Sequence, residues 1–311
     1  MLISCGDALI DFVPTRNAEG REAVMPAVGG SCLNVAIGMA RLGAPTGFVG
    51  GISTDLFGRM IADHAAASHV DLSLATRSDH QTTLAFVRIV AGESHYAFYD
   101  AETATRNWSY RRGTIPFADI EAVHVGSTTL VSDQGATETE ALIADARASS
   151  TISFDPNCRP NLVKDKPAYL ACMAEFAGCA DLIKMSEVDF AYLYGDEPYS
   201  QHARMLLGQG TSLVVITRGN IGAIAWHAGA GQIEVEAPKV EVADTIGAGD
   251  SFQAALLFAL HKQQRLARER LRDISADELR RALSFAANCA GITCTRPGAD
   301  PPWAAEAPWH G

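Results

Sequence analysis

Apolar and polar positions follow two patterns that alternate along most of the chain. Short apolar runs rich in β-branched residues predict strands, and between them apolar residues recur every three to four positions, which predicts helices. This succession is typical of βαβ units and predicts an α/β fold with a central, mostly parallel sheet flanked by helices. The strand candidates are residues 2–13, 46–52, 122–127, 151–157, 181–186 and 212–219. The helix candidates include residues 32–43, 55–67 and 136–149.

Two stretches depart from this alternation. Residues 82–99 predict two strands about a glycine turn, and residues 222–237 predict a second hairpin. With residues 12–28, the first hairpin and the polar connector after it, together residues 82–106, would form a small β-structured lid that excludes water from chemistry. The alternative is an antiparallel extension of the main sheet.

Composition narrows the class of partner. The 311 residues carry a formal net charge of −11, so nucleic acid and anionic membranes would be repelled. The first 13 residues lack a basic region before their apolar run, and no run approaches the length of a membrane span. Seven cysteines without a C-x-x-C pair indicate buried thiols in a reduced, cytoplasmic protein.

The stretch ADTIGAGDSFQAALL, residues 243–257, places three small residues directly before an acid. They are Gly247, Ala248 and Gly249, and the acid is Asp250. Apolar residues then recur at helical spacing, so a helix with one buried face begins near Asp250. Backbone N–H groups at a helix start bind anions, and this is how an acidic protein can hold a phosphate. The spacings of the P-loop, the dinucleotide fingerprint and the H-E-x-x-H metal site are absent from the sequence.

Asp250 admits two interpretations. It can be an ordinary capping residue of the first helical turn. It can also accept a proton from an alcohol that attacks a phosphate bound by the amides of residues 247–250, which act as an anion hole. The second interpretation predicts phosphoryl transfer to a hydroxyl group.

Two motifs together resemble those of a known family. The segment DTIGAGDSF, joined to GGSCLNVAIGMARLG at residues 29–43, resembles the ribokinase-like (PfkB) carbohydrate kinases, most closely the bacterial fructokinases. The resemblance covers essentially the whole chain and implies one domain, residues 1–311, with a three-layer ribokinase-like fold and a β lid. It implies a nucleotide-binding part at about residues 184–311. It also implies transfer of the γ-phosphate of ATP to a primary hydroxyl of a small sugar, with D-fructose first.

The resemblance assigns a sugar site. Asp11, Gly29, Gly30 and Asn34 match family positions that hold sugar hydroxyls, and a carboxylate and an amide suit that task. Alternatively, Asn34 satisfies its own helix backbone and Asp11 ends a solvated strand. Residues 29–34 read GGSCLN where fructokinases usually show GGAPAN.

Further positions follow from the same resemblance. Phe98 is a candidate cover over the sugar ring. Arg159, in SFDPNCRP, is a candidate substrate or phosphate contact or, alternatively, part of a loop salt bridge. The nucleotide-binding candidates are Lys184, Ser186, Thr217, Gly219, Gly222 and Asn288, the last of which can equally be a partly buried helix residue. Asp189 stands where relatives place a magnesium-linked Glu, and Asp244 with the carbonyl of Ile246 would bind a monovalent cation, potassium by expectation.

Alternative functions remain open at this point. Within the class they are 2-keto-3-deoxygluconate kinase and other ribokinase-like sugar or nucleoside kinases. Outside it, a sugar-sensing protein could keep the fold without turnover, although such a protein needs neither Asp250 nor the adjacent glycines. The lid would supply exposed strand edges suited to a homodimer.

Overall fold

The computed structural model describes residues 1–90 and 93–311, and its strands form two principal sheets and a two-stranded ribbon. The strands are β1 (Leu2–Cys5), β2 (Leu9–Arg16), β3 (Glu22–Gly29), β4 (Thr46–Val49), β5 (Gly51–Ser53), β6 (Thr76–Ser78), β7 (Thr83–Val90), β8 (Glu93–Tyr99), β9 (Ala122–Gly126), β10 (Thr151–Asp155), β11 (Leu182–Ser186), β12 (Leu213–Thr217), β13 (Ala223–His227) and β14 (Gly231–Val235). The main sheet has the order β14-β13-β12-β11-β10-β9-β1-β4 and is parallel from β4 to β12.

Helices cover both faces of the main sheet. They are α1 (Ser31–Arg41), α2 (Leu56–Ala67), α3 (Asp133–Ala146), α4 (Lys166–Cys179), α5 (Glu187–Tyr194), α6 (Tyr199–Gly208), α7 (Ala248–Lys262), α8 (Arg268–Arg272) and α9 (Ala276–Cys294). One apolar core joins the sheet to α3, α4, α5 and α6. A second core joins the opposite face to α1, α7 and α9. These three layers confirm the predicted α/β architecture.

The two predicted hairpins have different positions. Strands β7 and β8 pair with β2 and β3 in a separate four-stranded sheet of order β3-β2-β7-β8, called the small sheet below. Its members therefore begin three residues earlier, at Leu9, than the predicted segment 12–28. The second hairpin, β13 and β14, extends the edge of the main sheet. The glycine turn predicted between β7 and β8 lies at residues 91–92, outside the described residues.

Two strand candidates are each divided in the structure. Residues 2–13 form β1 and β2, and residues 46–52 form β4 and β5, separated at Gly6 and Gly50. The backbones at Gly6 and Gly50 lie so close together that a side chain at Gly50 would strike the carbonyl of Gly6. Both segments leave the main sheet at this contact. This turn carries β2 into the small sheet.

Helix α7 is buried on every side from Asp250 to Leu260, so the prediction of a single buried face was wrong. The reason is that α1 and α9 both pack against it, in addition to the sheet. The approach of α1 is close, because a methyl group at Gly38 would lie 2.6 Å from the Cβ of Ala254. A helix enclosed in this way holds its N-terminus in a fixed place.

Among the described residues, no helix is both long and apolar enough to cross a membrane. All seven cysteines are free thiols, and four of them are buried, as the sequence predicted for most of them.

Candidate active site

A cleft of about 640 Å³ lies between the carboxyl ends of the main-sheet strands and the small sheet. Ligands of open α/β sheets bind at this end of the strands. The predicted residues that line it are Asp11, Gly30, Asn34, Phe98, Arg159, Lys184, Ser186, Asp189, Thr217, Gly219, Ile246, Gly247, Gly249 and Asp250. The fold thus brings fourteen predicted site residues, which span about 240 positions of the sequence, into one cleft.

The N-terminus of α7 opens into this cleft. Gly247 precedes the helix with φ +74°, and a side chain there would lie 2.6 Å from the Cβ of Ala299. No described residue offers an acceptor to the N–H groups of Gly247, Gly249 and Asp250. The N–H of Ala248 instead contacts the carbonyl of Thr245 at 3.3 Å, so three of the four expected amides are available to a ligand.

The carboxylate of Asp250 is 9% exposed and is held by two donors. The hydroxyl of Ser31 donates to Oδ1 at 2.6 Å, and Nδ2 of Asn34 donates to Oδ2 at 2.9 Å. Burial raises the pKa of Asp250, and the two hydrogen bonds and the charges of Lys184 and Arg159 partly offset that rise. This carboxylate faces the cleft rather than bulk solvent.

The predicted sugar-binding residues lie beside Asp250. The side-chain amide of Asn34 donates to Asp250, while its Oδ1 is buried without a described hydrogen-bond partner. Gly29 does not line the cleft, but it allows the carboxylate of Asp11 to lie where a side chain would otherwise be. Burial raises the pKa of Asp11 to about 7, against the lowering effect of Arg159.

Arg159 and two aromatic residues form the wall on the side of the small sheet. The guanidinium of Arg159 donates to Oδ1 of Asn157 at 2.6 Å and lies 5.8 Å from the ring centre of Tyr96. The ring of Phe98 stacks on Tyr96 with centroids 5.9 Å apart. No carboxylate partner of Arg159 occurs among the described residues, so the alternative of a loop salt bridge is not what the structure shows.

Lys184 lies beneath the anion-binding amides as half of a buried ion pair. Its Nζ donates to Oδ2 of Asp155 at 2.7 Å and to the carbonyl of Gly249 at 3.1 Å. Both side chains are at most 4% exposed. Burial disfavours the charge on Lys184, but Asp155 outweighs this effect and raises the pKa of the lysine. A Cβ at Gly249 would lie 3.1 Å from Nζ, so a larger residue there would press on the lysine.

Ser186 and Asp189 form a capping box at the start of α5. Oδ2 of Asp189 accepts from the backbone N and Oγ of Ser186, and Oδ1 accepts from the N–H of Cys158. Because both carboxylate oxygens already accept protein donors, Asp189 fits a magnesium ion better through water than as a direct ligand. No cluster of three or more potential metal ligands occurs in the described part of the chain.

The predicted monovalent-cation residues are adjacent to the α7 amides. Oδ1 of Asp244 accepts from the N–H of Ile246 at 3.0 Å, and Oδ2 accepts from the N–H of Gly298 at 2.8 Å. Asp244 itself does not line the cleft. The carboxylate of Asp244 thus joins the loop before α7 to the turn at Gly298.

The remaining nucleotide candidates divide into two groups. Thr217 and Gly219 line the cleft at the end of β12. Gly222 lies outside the lining, where its φ of +113° and its contact with the carbonyl of Val235 both require glycine. Asn288 is exposed on α9 and is not part of the lining, so it is not the partly buried helix residue of the alternative interpretation.

Sequence reasoning missed four residues of this site. Ser31 holds Asp250, Asp155 pairs with Lys184, and Tyr96 forms part of the wall. Asp7 is buried in the lining and ties the start of α1 to the turn after β9. The sequence offered few signals for them. Asp7 and Asp155 are acids within predicted strands, and Ser31 belongs to the segment GGSCLN. None of these signals identifies the residue that each side chain contacts.

Comparison with known proteins identifies the family of the chain. Residues 1–306 match the family described as pfkB family carbohydrate kinase. The fructokinase of Rhizobium leguminosarum bv. trifolii is 35% identical over 280 residues, 90% of this chain and 86% of that protein. The fructokinase from Xylella fastidiosa with bound ATP has a TM-score of 0.87 at 27% identity, covering 96% of this chain and 93% of that one. A double mutant of the Vibrio cholerae O395 fructokinase in its fructose-, ADP- and potassium-bound form has a TM-score of 0.82 at 26% identity, covering 96% and 93%.

The family match spans nearly the whole chain, and both solved structures superpose on this fold over 96% of this chain and 93% of their own. These findings confirm the ribokinase-like fold that the two motifs implied. The chain belongs to the pfkB family of carbohydrate kinases.

Proposed function

We propose that the protein transfers the γ-phosphoryl group of ATP to a primary hydroxyl of a small sugar, foremost D-fructose. One observation carries this proposal: the buried carboxylate of Asp250 and three N–H groups without acceptors open into the same cleft. A proton acceptor beside an anion-binding helix start is the arrangement that phosphoryl transfer to an alcohol requires.

Each residue around Asp250 has a separate role in the proposed reaction. Asp250 accepts the proton of the attacking hydroxyl, and the amides from Gly247 to Asp250 stabilise charge on the transferred group. The carboxylate of Asp11 and the unpaired Oδ1 of Asn34 accept hydrogen bonds from other sugar hydroxyls. Arg159 supplies the cation near the sugar or the migrating phosphate.

Fructose is favoured by the relatives. A fructokinase at 35% identity and a fructose-bound structure at 26% support the same sugar in this cleft. The apolar faces of Phe98 and Tyr96 would cover the sugar ring, so that the small sheet acts as a lid. A keto-acid substrate would require a second cation near Arg159. The charge of Lys184 is already paired with Asp155, which makes a keto acid the less favoured substrate.

The nucleotide would lie along the end of β12, past Thr217, Gly219 and the turn at Gly222, with Ser186 and Lys184 toward its phosphates. Asn288 on α9 is our candidate for the adenine side. Magnesium would neutralise phosphate charge and be held through water by Asp189. Potassium would bind at Asp244 and the carbonyl of Ile246, where the carboxylate already organises the loop.

We further propose a cytoplasmic homodimer formed through the lid. The small sheet exposes several apolar side chains, which are Val24, Met25, Phe86 and Tyr99. Exposed apolar side chains and strand edges suit a protein partner. Sedimentation equilibrium would test this, and a monomer at micromolar concentration would contradict the dimer alone.

The test of the proton acceptor is Asp250→Asn. Loss of a general base should lower kcat by about 10²–10⁴-fold, whereas loss of a helix cap should cost about 1 kcal/mol of stability and little activity. ADP release and urea unfolding, measured on the same preparation, separate the two. Near-normal turnover by a folded Asp250→Asn protein would refute the mechanism.

The substrate is tested by ADP release with fructose, ribose, 2-keto-3-deoxygluconate, tagatose and adenosine. We expect fructose to give the highest kcat/KM. A faster reaction with 2-keto-3-deoxygluconate would overturn the sugar assignment and leave the mechanism intact. ATP consumption that no sugar stimulates would favour a sensing protein.

A further inference from the structure

The hydroxyl of Ser31 is bound to the carboxylate that we assign as proton acceptor. Ser31 is the first residue of α1. Gly30 before it has φ +104°, and a side chain there would lie 2.6 Å from the carbonyl of Asp7, so both the backbone and the space favour glycine. This tight turn directs Ser31 toward α7, where Oγ lies 2.6 Å from Oδ1 of Asp250. Ser31 is 7% exposed and Asp250 9%, so water competes little for this bond.

The bond completes a two-point clamp. Ser31 donates to one carboxylate oxygen and Asn34 to the other, and both donors belong to α1. Because α1 and α7 are packed closely through Gly38 and Ala254, the two donors cannot move independently of the helix that carries Asp250. The plane of the carboxylate is therefore fixed, and each of its oxygens keeps one lone pair for a ligand.

We propose that Ser31 is a positioning residue that orients the carboxylate of Asp250 and sets its proton affinity through the Oγ–Oδ1 hydrogen bond. This inference rests on the proposed role of Asp250 as proton acceptor. Neither the sequence motifs nor the relatives assign any role to Ser31. Its hydroxyl acts on Asp250 and does not itself take part in the transfer.

The direction of the expected shift in the pKa of Asp250 follows from the fact that Ser31 donates the hydrogen bond. A hydrogen bond to an ionised carboxylate stabilises the charged form, so its removal raises the pKa of Asp250. Other groups also act on Asp250 and would be retained in a Ser31 variant. The titratable groups that face it from the neighbouring elements are Asp11, Cys32, Tyr96, Asp155, Arg159 and Lys184. A shift on removing the hydroxyl therefore reports the hydrogen bond alone.

The test is Ser31→Ala, with kcat at saturating sugar measured from pH 5 to 9, so that changes in sugar KM do not contribute. We expect the acid limb of the profile to move to higher pH by roughly one unit, because charge-assisted hydrogen bonds have about that strength. On the acid side the loss in kcat is then about tenfold, and it becomes smaller on the alkaline plateau. An equal loss at every pH would overturn the proposal, since it would show only a structural role.

A second readout does not depend on turnover. Carbon-13 NMR of protein labelled at the aspartate carboxyl gives the pKa of Asp250 directly, with the resonance identified by its absence in Asp250→Asn. We expect the same upward shift in Ser31→Ala. An unchanged carboxyl pKa would overturn the proposal, whatever the kinetics show.

Ser4→Ala is the matched control. Ser4 is fully buried and donates to the carbonyl of Cys32, the residue after Ser31, so this variant disturbs the same segment without touching Asp250. We expect no movement of the acid limb in Ser4→Ala, and an equal movement there would overturn the proposal. A folded, active Asp250→Asn protein would instead refute the proposed function, so the two failures are distinguishable.

Discussion

The two walls of the cleft are built in opposite ways. The wall formed by α7 is enclosed by the main sheet, α1 and α9, and the helix is buried continuously from Asp250 to Leu260. The wall formed by the small sheet is thin, and the face that carries Phe86 and Tyr99 leaves these rings 37% and 64% exposed. The comparison indicates that the apolar core fixes the position of Asp250 and the adjacent amides. The side chains proposed to cover the sugar belong to a sheet that buries little apolar surface.

The electrostatic support differs in the same way. Under α7, Lys184 and Asp155 form a pair that is almost inaccessible to water. The small sheet meets the opposite loop through Tyr96, whose backbone carbonyl accepts from Asn161 and whose ring lies near Arg159. Buried charge has large energetic consequences when one partner is lost, and exposed contacts have small ones. Substitutions on the two walls should therefore differ in size and in kind.

The largest effect is expected from Lys184→Met. This variant leaves Asp155 buried without its cation, so the free energy of unfolding should fall by about 3–5 kcal/mol. Urea unfolding should be measured at pH 8, because burial places the pKa of Asp155 at about 6 even with the lysine present. Arg112→Met is the control, since Arg112 is 67% exposed in its pair with Asp145 and should cost under about 1 kcal/mol. Equal losses would contradict the distinction between buried and exposed charge.

A second variant sharpens this prediction. Replacing both members, Lys184→Met with Asp155→Leu, removes the uncompensated charge and should recover most of the lost stability. Activity should not recover with it, because the carbonyl of Gly249 would still lack its donor. Recovery of both would mean that the pair only stabilises the fold.

The next effect compares two glycines with nearly the same backbone. Gly247 has φ +74° before α7, and Gly20 has φ +75° in the turn between β2 and β3. Alanine should cost about 1–2 kcal/mol of stability at either position because of this conformation. At Gly247 the new Cβ would also lie 2.6 Å from that of Ala299, whereas nothing lies within 4 Å at Gly20.

Gly247→Ala should therefore displace the anion-binding amides and lower kcat by about 10²-fold, the scale expected for a shift of roughly 1 Å at a catalytic site. Gly20→Ala should leave kcat unchanged. Steady-state ADP release on both proteins, with circular dichroism to verify folding, makes the comparison. A similar kcat for the two would show that the position of these amides is not critical.

The elements that sequence could predict are those with a local pattern. The alternation of strands and helices, the start of α7 and the small residues before Asp250 each lie within a few positions of one another. The ends of the candidates at residues 2–13 and 46–52 were not predictable in this way, because apolar residues continue through Gly6 and Gly50. The break depends on one backbone meeting another 44 positions away, as the contact of those glycines shows.

The partners within the site were not predictable for the same reason. Ser31 and Asp250 are 219 positions apart, and Asp155 and Lys184 are 29 apart. No spacing rule connects such pairs, and the types of residue are common. Asn288 shows what a motif match leaves open, since this residue is exposed on α9 and does not line the cleft, and its role stays a prediction.

Asp11 provides a pH-dependent effect of intermediate size. Burial raises its pKa to about 7, so this carboxyl gains a proton as pH falls below 7 and loses its capacity to accept from a sugar hydroxyl. If only the ionised form binds, the sugar KM at pH 6 should be about tenfold above its value at pH 8. The KM for ATP should change less, which makes it the internal control. Asp11→Asn should give a high sugar KM without this pH dependence, and a retained pH dependence would assign it to another group.

The smallest effect is expected where the small sheet meets the loop after β10. Asn161 is exposed, and its Nδ2 donates to the backbone carbonyl of Tyr96 at 2.9 Å. An exposed hydrogen bond contributes about 0.5–1.5 kcal/mol, so Asn161→Ala should raise the sugar KM by about two- to tenfold and leave kcat and the unfolding midpoint nearly unchanged. Asn161→Asp keeps the size but removes the donor and should behave like alanine. A large fall in kcat in either variant would mean that the small sheet also orients the reacting groups, and the two walls would then act as one.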